Sequence, residues 1–129
     1  NFNNYTTKSQ ETIQLAQQIA QGFGHQQIEN EHIFKALTQV DENVLPFLLK
    51  KLDINSIVLE QILDKQIQSF PKVSGAELNI SRAANKSLID AAVIAKDMQD
   101  DYVSIEHLIL AIFKSKSNIA QVLKDQGVT

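Results

Sequence analysis

The feature that most constrains this chain is a ten-residue pattern that occurs twice. Ile28-Glu29-Asn30-Glu31-His32-Ile33-Phe34-Lys35-Ala36-Leu37 returns, diverged, as Val103-Ser104-Ile105-Glu106-His107-Leu108-Ile109-Leu110-Ala111-Ile112. Each copy runs aliphatic residue, two spacers, Glu-His, two apolar residues, a variable position, Ala and an aliphatic residue. The flanks repeat with it. Ser81 stands where Thr6 stands, and Leu88, Ala91, Ala95 and Met98 stand where Ile13, Ala16, Ala20 and Phe23 stand. One constant offset of 75 residues relates every pair, with no gap between cap and Glu-His. Self-similarity at a fixed period marks a structure built from repeated units.

The periodicity within each unit is helical. Thr6 or Thr7 caps a first helix with Ile13, Ala16, Ala20 and Phe23 on one face, stopped at Gly24. A short extended segment reaches Ile28. Helix two starts near Asn30 and buries Ile33, Ala36, Leu37 and Val40, with Glu29 and Glu31 at its positive end. Helix three runs from about Asn43 to Leu52; Pro46 fits in its first turn, where a missing N–H costs little. Its inward residues are expected to be Val44, Phe47, Leu48 and Leu52. Asn55 or Ser56 caps helix four, which buries Leu59, Ile62, Leu63 and Ile67 and ends at Phe70-Pro71. Lys72 to Glu77 reads as a connector. The second unit then supplies helix five from Ser81, helix six with Leu108, Ala111 and Ile112, and helix seven with Ile119, Val122 and Leu123, stopped at Gly127. The expected fold is all-α: two four-helix repeats related by a pseudo-twofold axis, with the last helix cut short or absent. Repeat one spans 5–69, the connector 70–79 and repeat two 80–129, within a single domain. No segment shows strand alternation.

Composition removes several function classes. A net charge of −3 opposes binding to nucleic acid or an acidic membrane, which call for a basic face. The absence of cysteine removes disulfide, zinc-thiolate and thiol chemistry and fits a reducing compartment. No apolar run reaches membrane-spanning length, and no signal-peptide pattern opens the chain. There is no G-x-x-x-x-G-K-[ST] phosphate loop, no H-E-x-x-H and no nucleophile elbow. His25, His32 and His107 lack metal-ligand spacing among themselves, so no metal is expected. An enzyme reading has no residues to stand on.

Two readings of the Glu-His pairs stay open. In one, the Glu offsets the helix dipole and the His packs at the helix start, bonded to the preceding turn. In the other, Glu31 and Glu106 are partly buried acceptors for a basic group, each near the cap hydroxyl of its preceding helix, Thr6 or Ser81. Asp97, Asp100 and Asp101, ahead of Tyr102-Val103, form either a solvated loop or an acidic lip that with Glu106 attracts basic peptide segments.

The paired aliphatic-x-x-Glu-His-aliphatic pattern, the caps Thr6 and Ser81 and the stop Gly127-Val128 resemble the Clp N-terminal repeat domain, which heads the AAA+ Clp unfoldases and disaggregases. The connector Phe70-Pro71-Lys72-Val73-Ser74-Gly75, the opening Phe2 to Lys8 and the run Gly24 to Glu29 are similar to the ClpB disaggregase branch. Asn30, where proline is common, and Asp53, where the first repeat usually has glycine, depart from the pattern. The resemblance implies a module that engages unfolded or aggregated client protein and helps deliver it to the pore of a hexameric, cytoplasmic ATPase working with a DnaK-type chaperone system. ATP and Mg would belong to AAA+ modules outside this stretch; the domain itself would hold no cofactor, hydrolyse nothing and be a monomer in isolation. It implies client contact by Thr6, Asp100 and Glu106, with Ile94 as a groove residue; Asp90 and His107 stand where aliphatic residues can occur, which makes the groove more polar. Two alternatives come with it. One is a twin site for phosphorylated arginine using Glu31 and Glu106, as in ClpC relatives, with Ser81 beside it. The other is adaptor docking, as in the ClpA branch.

Overall fold

A computed structural model describes residues 2–75 and 77–127. It contains α1 (Thr7–Gly22), β1 (Gln27–Ile28), α2 (Asn30–Val40), α3 (Val44–Lys51), α4 (Ser56–Gln68), β2 (Asn79–Ile80), α5 (Arg82–Asp97), α6 (Ile105–Lys114) and α7 (Asn118–Gln126). The architecture is all-α, four helices and then three, with no eighth helix among the described residues. Ala76 of the connector and Val128 of the Gly127-Val128 stop lie outside those residues.

The helix starts show the repeat at atomic detail. Thr6 Oγ1 accepts the Ser9 N–H at 3.1 Å, and Ser81 Oγ accepts the Ala84 N–H at 3.0 Å. Each hydroxyl satisfies an amide that the first helical turn leaves without a carbonyl. At α2 and α6 the Glu-His histidines serve the same end in reverse. His32 Nδ1 accepts the Glu29 N–H at 2.8 Å, and His107 Nδ1 accepts the Ser104 N–H at 2.9 Å. These are capping boxes in which an imidazole takes the role usually given to Glu or Gln.

The two units are joined by short parallel pairings that sequence periodicity does not show, because two residues are too few to alternate. Asn79 N–H donates to Gln26 O and Ser81 N–H to Ile28 O, both at 3.0 Å. On the pseudo-symmetric side Thr6 N–H donates to Val103 O at 3.0 Å, the equivalent of Ser81 to Ile28, and Val103 N–H donates to Asn4 O at 2.8 Å. The segment leading into the first helix of each unit therefore pairs with the segment leading into the Glu-His helix of the other. This corrects the expectation that each cap lies beside the Glu-His of its own unit: Thr6 lies beside Val103, three residues before Glu106, and Ser81 beside Ile28, three before Glu31.

The core is shared. Phe34, Leu37 and Leu63 are buried completely, as are Ile109 and Ile119 from the second unit, and α7 packs against α2 and α4 of the first. Helix three departs from expectation. Leu45 and Leu49 are its buried residues, whereas Phe47 is 63% exposed with the Lys51 ammonium over its ring. The cause lies one turn upstream: Asp41, itself buried, accepts the amides of Asn43, Val44 and Leu45 and sets the rotation of the helix. Among the described residues, two helix stops put a non-glycine residue in the left-handed backbone. Asp53 adopts it at φ 57° after α3, and Gln99 at φ 61° where the first unit has Gly24 at 73°.

Candidate functional site

The backbone bonds of Thr6 bring the start of α1 against the loop that begins α6, and that loop carries the acidic residues. The Thr6 hydroxyl is used locally, accepting from Ser9 N–H and donating to Ser9 Oγ at 2.9 Å. Asp100 follows α5; its N–H closes onto Ala95 O, and its side chain stays 43% exposed. Asp100 Oδ2 lies 2.8 Å from His107 Nε2. Because His107 Nδ1 accepts the Ser104 amide, a neutral ring carries its proton on Nε2 and donates it to Asp100. Glu106, exposed in the first turn of α6, accepts the Ser104 hydroxyl at 2.8 Å. Asp97 and Asp101 are exposed nearby in the chain, and Tyr102 is 57% exposed. A shallow cleft of about 590 Å³ lies between Asn4 and the end of α5, bounded by Ala92, Lys96, Gln99 and Asp100. Ile94 is half-buried against the core one turn before this end of α5 and does not line the cleft.

Asp100, Glu106 and His107 bring ligand-type atoms within 4.8 Å of one another. The hydrogen-bond pattern argues against a metal there: a His107 Nε2 that donates a proton has no lone pair to give, and freeing one would oppose Nδ1 to the Ser104 N–H.

The corresponding place in the first unit is built differently. Glu31 is buried, 4% exposed, and its Oε2 accepts the Ile119 N–H at 2.9 Å. Ile119 is the second residue of α7, so Glu31 caps a helix of the other unit across 88 positions of sequence. Burial pushes the Glu31 carboxyl above its usual value, against the pull of the Ile119 amide. Among the described residues, Glu106 caps no helix of the other unit; at the start of α3 it is Asp41 that accepts the amides of Asn43, Val44 and Leu45. Ser81 is buried and spent on its helix cap.

Where the second unit has Asp100, the first has His25. His32 Nδ1 accepts the Glu29 amide, so Nε2 carries its proton and donates to His25 Nδ1 at 2.9 Å. The two imidazoles are buried, with His25 stacked on Phe23 and both rings against Phe70 of the connector. Desolvation, reinforced by the neighbouring ring, lowers the His32 pKa to about 4. The His25 pKa is also lowered, by burial and then by the Lys72 ammonium. Val73 N–H closes the connector onto Gly24 O at 2.9 Å. The structure thus gathers Thr6, Asp100 and Glu106 on one edge, and places Glu31 and Ser81 inside the other half. Sequence reasoning missed Asp41, Ser104 and His25. Applying the 75-residue offset to Asp100 leads to His25 directly; nothing in the sequence pointed to Asp41.

A second cleft, about 630 Å³, opens between α3 and α4 and is lined by Pro46, Leu49, Ile54 and Leu59 with Lys50 and Glu60 at its rim. Among the described residues, no helix is long and apolar enough to cross a membrane.

Comparison with known proteins agrees with this architecture. The family model of the Clp repeat (R) N-terminal domain matches residues 4–126. The chaperone protein ClpB of Bacteroides thetaiotaomicron is 45% identical over 129 residues, all of this chain and 15% of the relative. ClpB of Porphyromonas gingivalis is 40% identical over the same span and share. The chain thus covers about 15% of the length of these curated relatives. Among solved structures, the Hsp104 N-terminal domain from Candida albicans superposes with a TM-score of 0.88 at 22% identity, covering 98% of this chain and 84% of that one. The N-terminal domain of ClpD from Arabidopsis thaliana gives 0.75 at 18% identity, covering 99% and 88%. With its twofold Glu-His pattern, its crossed pairings and this family match over nearly its whole length, the chain belongs to the Clp repeat N-terminal domain family and is similar to the N-terminal part of ClpB chaperones.

Proposed function

We propose that this domain is the substrate-engaging N-terminal module of a ClpB-like, ATP-dependent disaggregase. It captures unfolded or aggregated polypeptide at the edge formed by Thr6, Asp100 and Glu106, and helps pass it to the pore of AAA+ modules outside this chain. The observation that carries the reading is that edge itself, in a chain 45% identical to a ClpB chaperone. Two carboxylates, Asp100 and Glu106, lie within 4.8 Å of one another, Asp100 lines a shallow cleft, and Tyr102 is exposed on the loop between them. Such an edge suits weak, reversible contact with apolar segments that carry basic flanks. Small, polar-rimmed contacts bind loosely, and loose binding lets a client be released onward. ATP hydrolysis, Mg binding, hexamer formation and cooperation with a DnaK-type system belong to the parent on this reading, in a cytoplasmic setting, and the isolated domain is a non-catalytic monomer. The repeat boundaries 5–69 and 80–129, with connector 70–79, describe the unit that would swing as one body above the ring.

A test is fluorescence-anisotropy titration of the domain with labelled unfolded casein. Asp100→Asn combined with Glu106→Gln is expected to weaken binding several-fold, while Glu31→Gln leaves it within two-fold. Equal loss from both would instead favour the second reading, a twin site for phosphorylated arginine that uses Glu31 and Glu106. The observation in favour of that alternative is the presence of both glutamates at matching positions. Casein binding unaffected by either variant would point to adaptor docking.

A further inference from the structure

The two units place the same Glu-His histidine, through the same backbone bond, in front of two different acceptors. We infer that His107 is a positioning residue that fixes the Asp100 carboxylate for a basic client, and that the exchange of Asp100 for His25 confines this selectivity to one half of the domain. The inference rests on the client-capture reading and specifies its chemistry.

Both rings are locked in one tautomer by an amide, Glu29 N–H for His32 and Ser104 N–H for His107. Each must then donate from Nε2 to whatever stands seven residues earlier. In the first unit that is His25, a ring 5% exposed and walled by Phe23 and Phe70, which offers a client no carboxylate. In the second it is Asp100, whose Oδ2 takes the proton at 2.8 Å while the side chain remains open to solvent. His107 is 1% exposed and cannot itself reach a client. Its effect is to hold one carboxylate oxygen, which leaves the other presented in a fixed direction. Exposed ion pairs gain little mainly because two mobile side chains must be ordered to make them. A carboxylate already held from beneath loses less freedom on binding an ammonium or guanidinium. Ser104 acts in the same sense on Glu106. The remaining glutamate of the pair, Glu31, is occupied by Ile119 N–H and adds nothing on the other side.

The test uses two fluorescent peptides with the same apolar centre, one flanked by lysines and one by glutamines, titrated into the 129-residue domain. The wild type is expected to prefer the lysine-flanked peptide by roughly two- to five-fold, the range of one exposed charge pair. Asp100→Asn should abolish the preference. His107→Leu should abolish it too, although Asp100 is intact, and the double variant should lose no more than either single one. A merely structural role for His107 would weaken both peptides alike and keep the ratio. A preference that survives in His107→Leu but not in Asp100→Asn would overturn the inference and leave client capture standing. Binding of neither peptide by the wild type would overturn both. Because His107→Leu also removes the acceptor of Ser104 N–H, a second measurement is made on the wild type. Ring nitrogen shifts should show His107 as the Nε2–H tautomer and should move with the lysine-flanked peptide, while those of His32 stay still. An Nδ1–H tautomer at His107 would overturn the inference without any variant.

Discussion

Glu31 and Glu106 occupy identical places in the repeated pattern, yet only Glu31 should matter for stability. Replacing Glu31 by Ala removes the acceptor of Ile119 N–H at the start of α7. An unmet buried amide costs about 1–3 kcal/mol, and a carboxylate at a helix N-terminus contributes up to about 2 kcal/mol more in a partly buried place. Recovery of the desolvation cost of the carboxylate offsets part of this, as its raised pKa signals. A net loss of about 2–3 kcal/mol is expected. Unfolding entropy of about 2.1 cal/mol/K per residue over 129 residues makes this a fall in Tm of roughly 7–11 °C. Glu31→Gln keeps an acceptor and should lose about half as much. Glu106→Ala, at an exposed position, should stay within about 0.5 kcal/mol. pH gives a further check. A carboxyl whose folded pKa is raised contributes stability that is fully present below its unfolded value and is lost as pH rises through the folded value. The gap between wild type and Glu31→Gln should therefore be widest near pH 4 and narrow toward pH 7. The assay is calorimetric or circular-dichroism melting across that range. Equal Tm losses for Glu31→Ala and Glu106→Ala would refute the cross-repeat cap.

The buried histidine pair has the opposite sign. With a folded pKa of about 4, His32 contributes stability that is complete above pH 6.5 and lost as pH falls toward 4, by about 3 kcal/mol at most. Denaturant unfolding of Glu31→Gln, where the opposing carboxyl is gone, should show this slope, and ring titration near pH 6.5 would contradict it. Asp53→Gly should raise stability by about 0.5–1 kcal/mol by relieving the left-handed backbone at the end of α3; an unchanged or lowered denaturation midpoint would say that the Asp53 side chain compensates locally. Leu49→Ala should cost about 2–4 kcal/mol and Phe47→Ala under 1, by the same denaturation assay, since the former is buried and the latter largely exposed; the reverse order would mean that α3 is rotated.

Much of this architecture is legible in the sequence because it is local and repeated. Caps at Thr6, Asn55 and Ser81, and apolar residues at helical spacing, act over one or two turns. What escaped is non-local or too short to have a period. Two-residue strands do not alternate, so periodicity cannot show the crossed pairing of Thr6 with Val103, and the acceptor reading of the Glu-His pairs sets each cap beside the pair of its own unit. The face of α3 was misjudged because Val44, Leu45, Phe47, Leu48 and Leu49 are all apolar, and only the Asp41 cap decides which of them point inward. Glu31 looked equivalent to Glu106 because its partner, the amide of Ile119, lies in another unit and is a backbone group that any residue would supply. At the candidate site, the acidic character of Asp100 and Glu106 was plain, whereas the way Ser104 and His107 hold them was not.

On the proposed function, clients meet the second-unit edge and not its buried counterpart. The direct measurement is backbone amide shift mapping of the domain titrated with unfolded casein. The account predicts the largest shifts at Thr6, from Ile94 to the end of α5, and from Asp100 through Glu106, with Glu31 and Ser81 unmoved. Matching shifts at Glu31 and Ser81, or shifts confined to the cleft between α3 and α4, would contradict it.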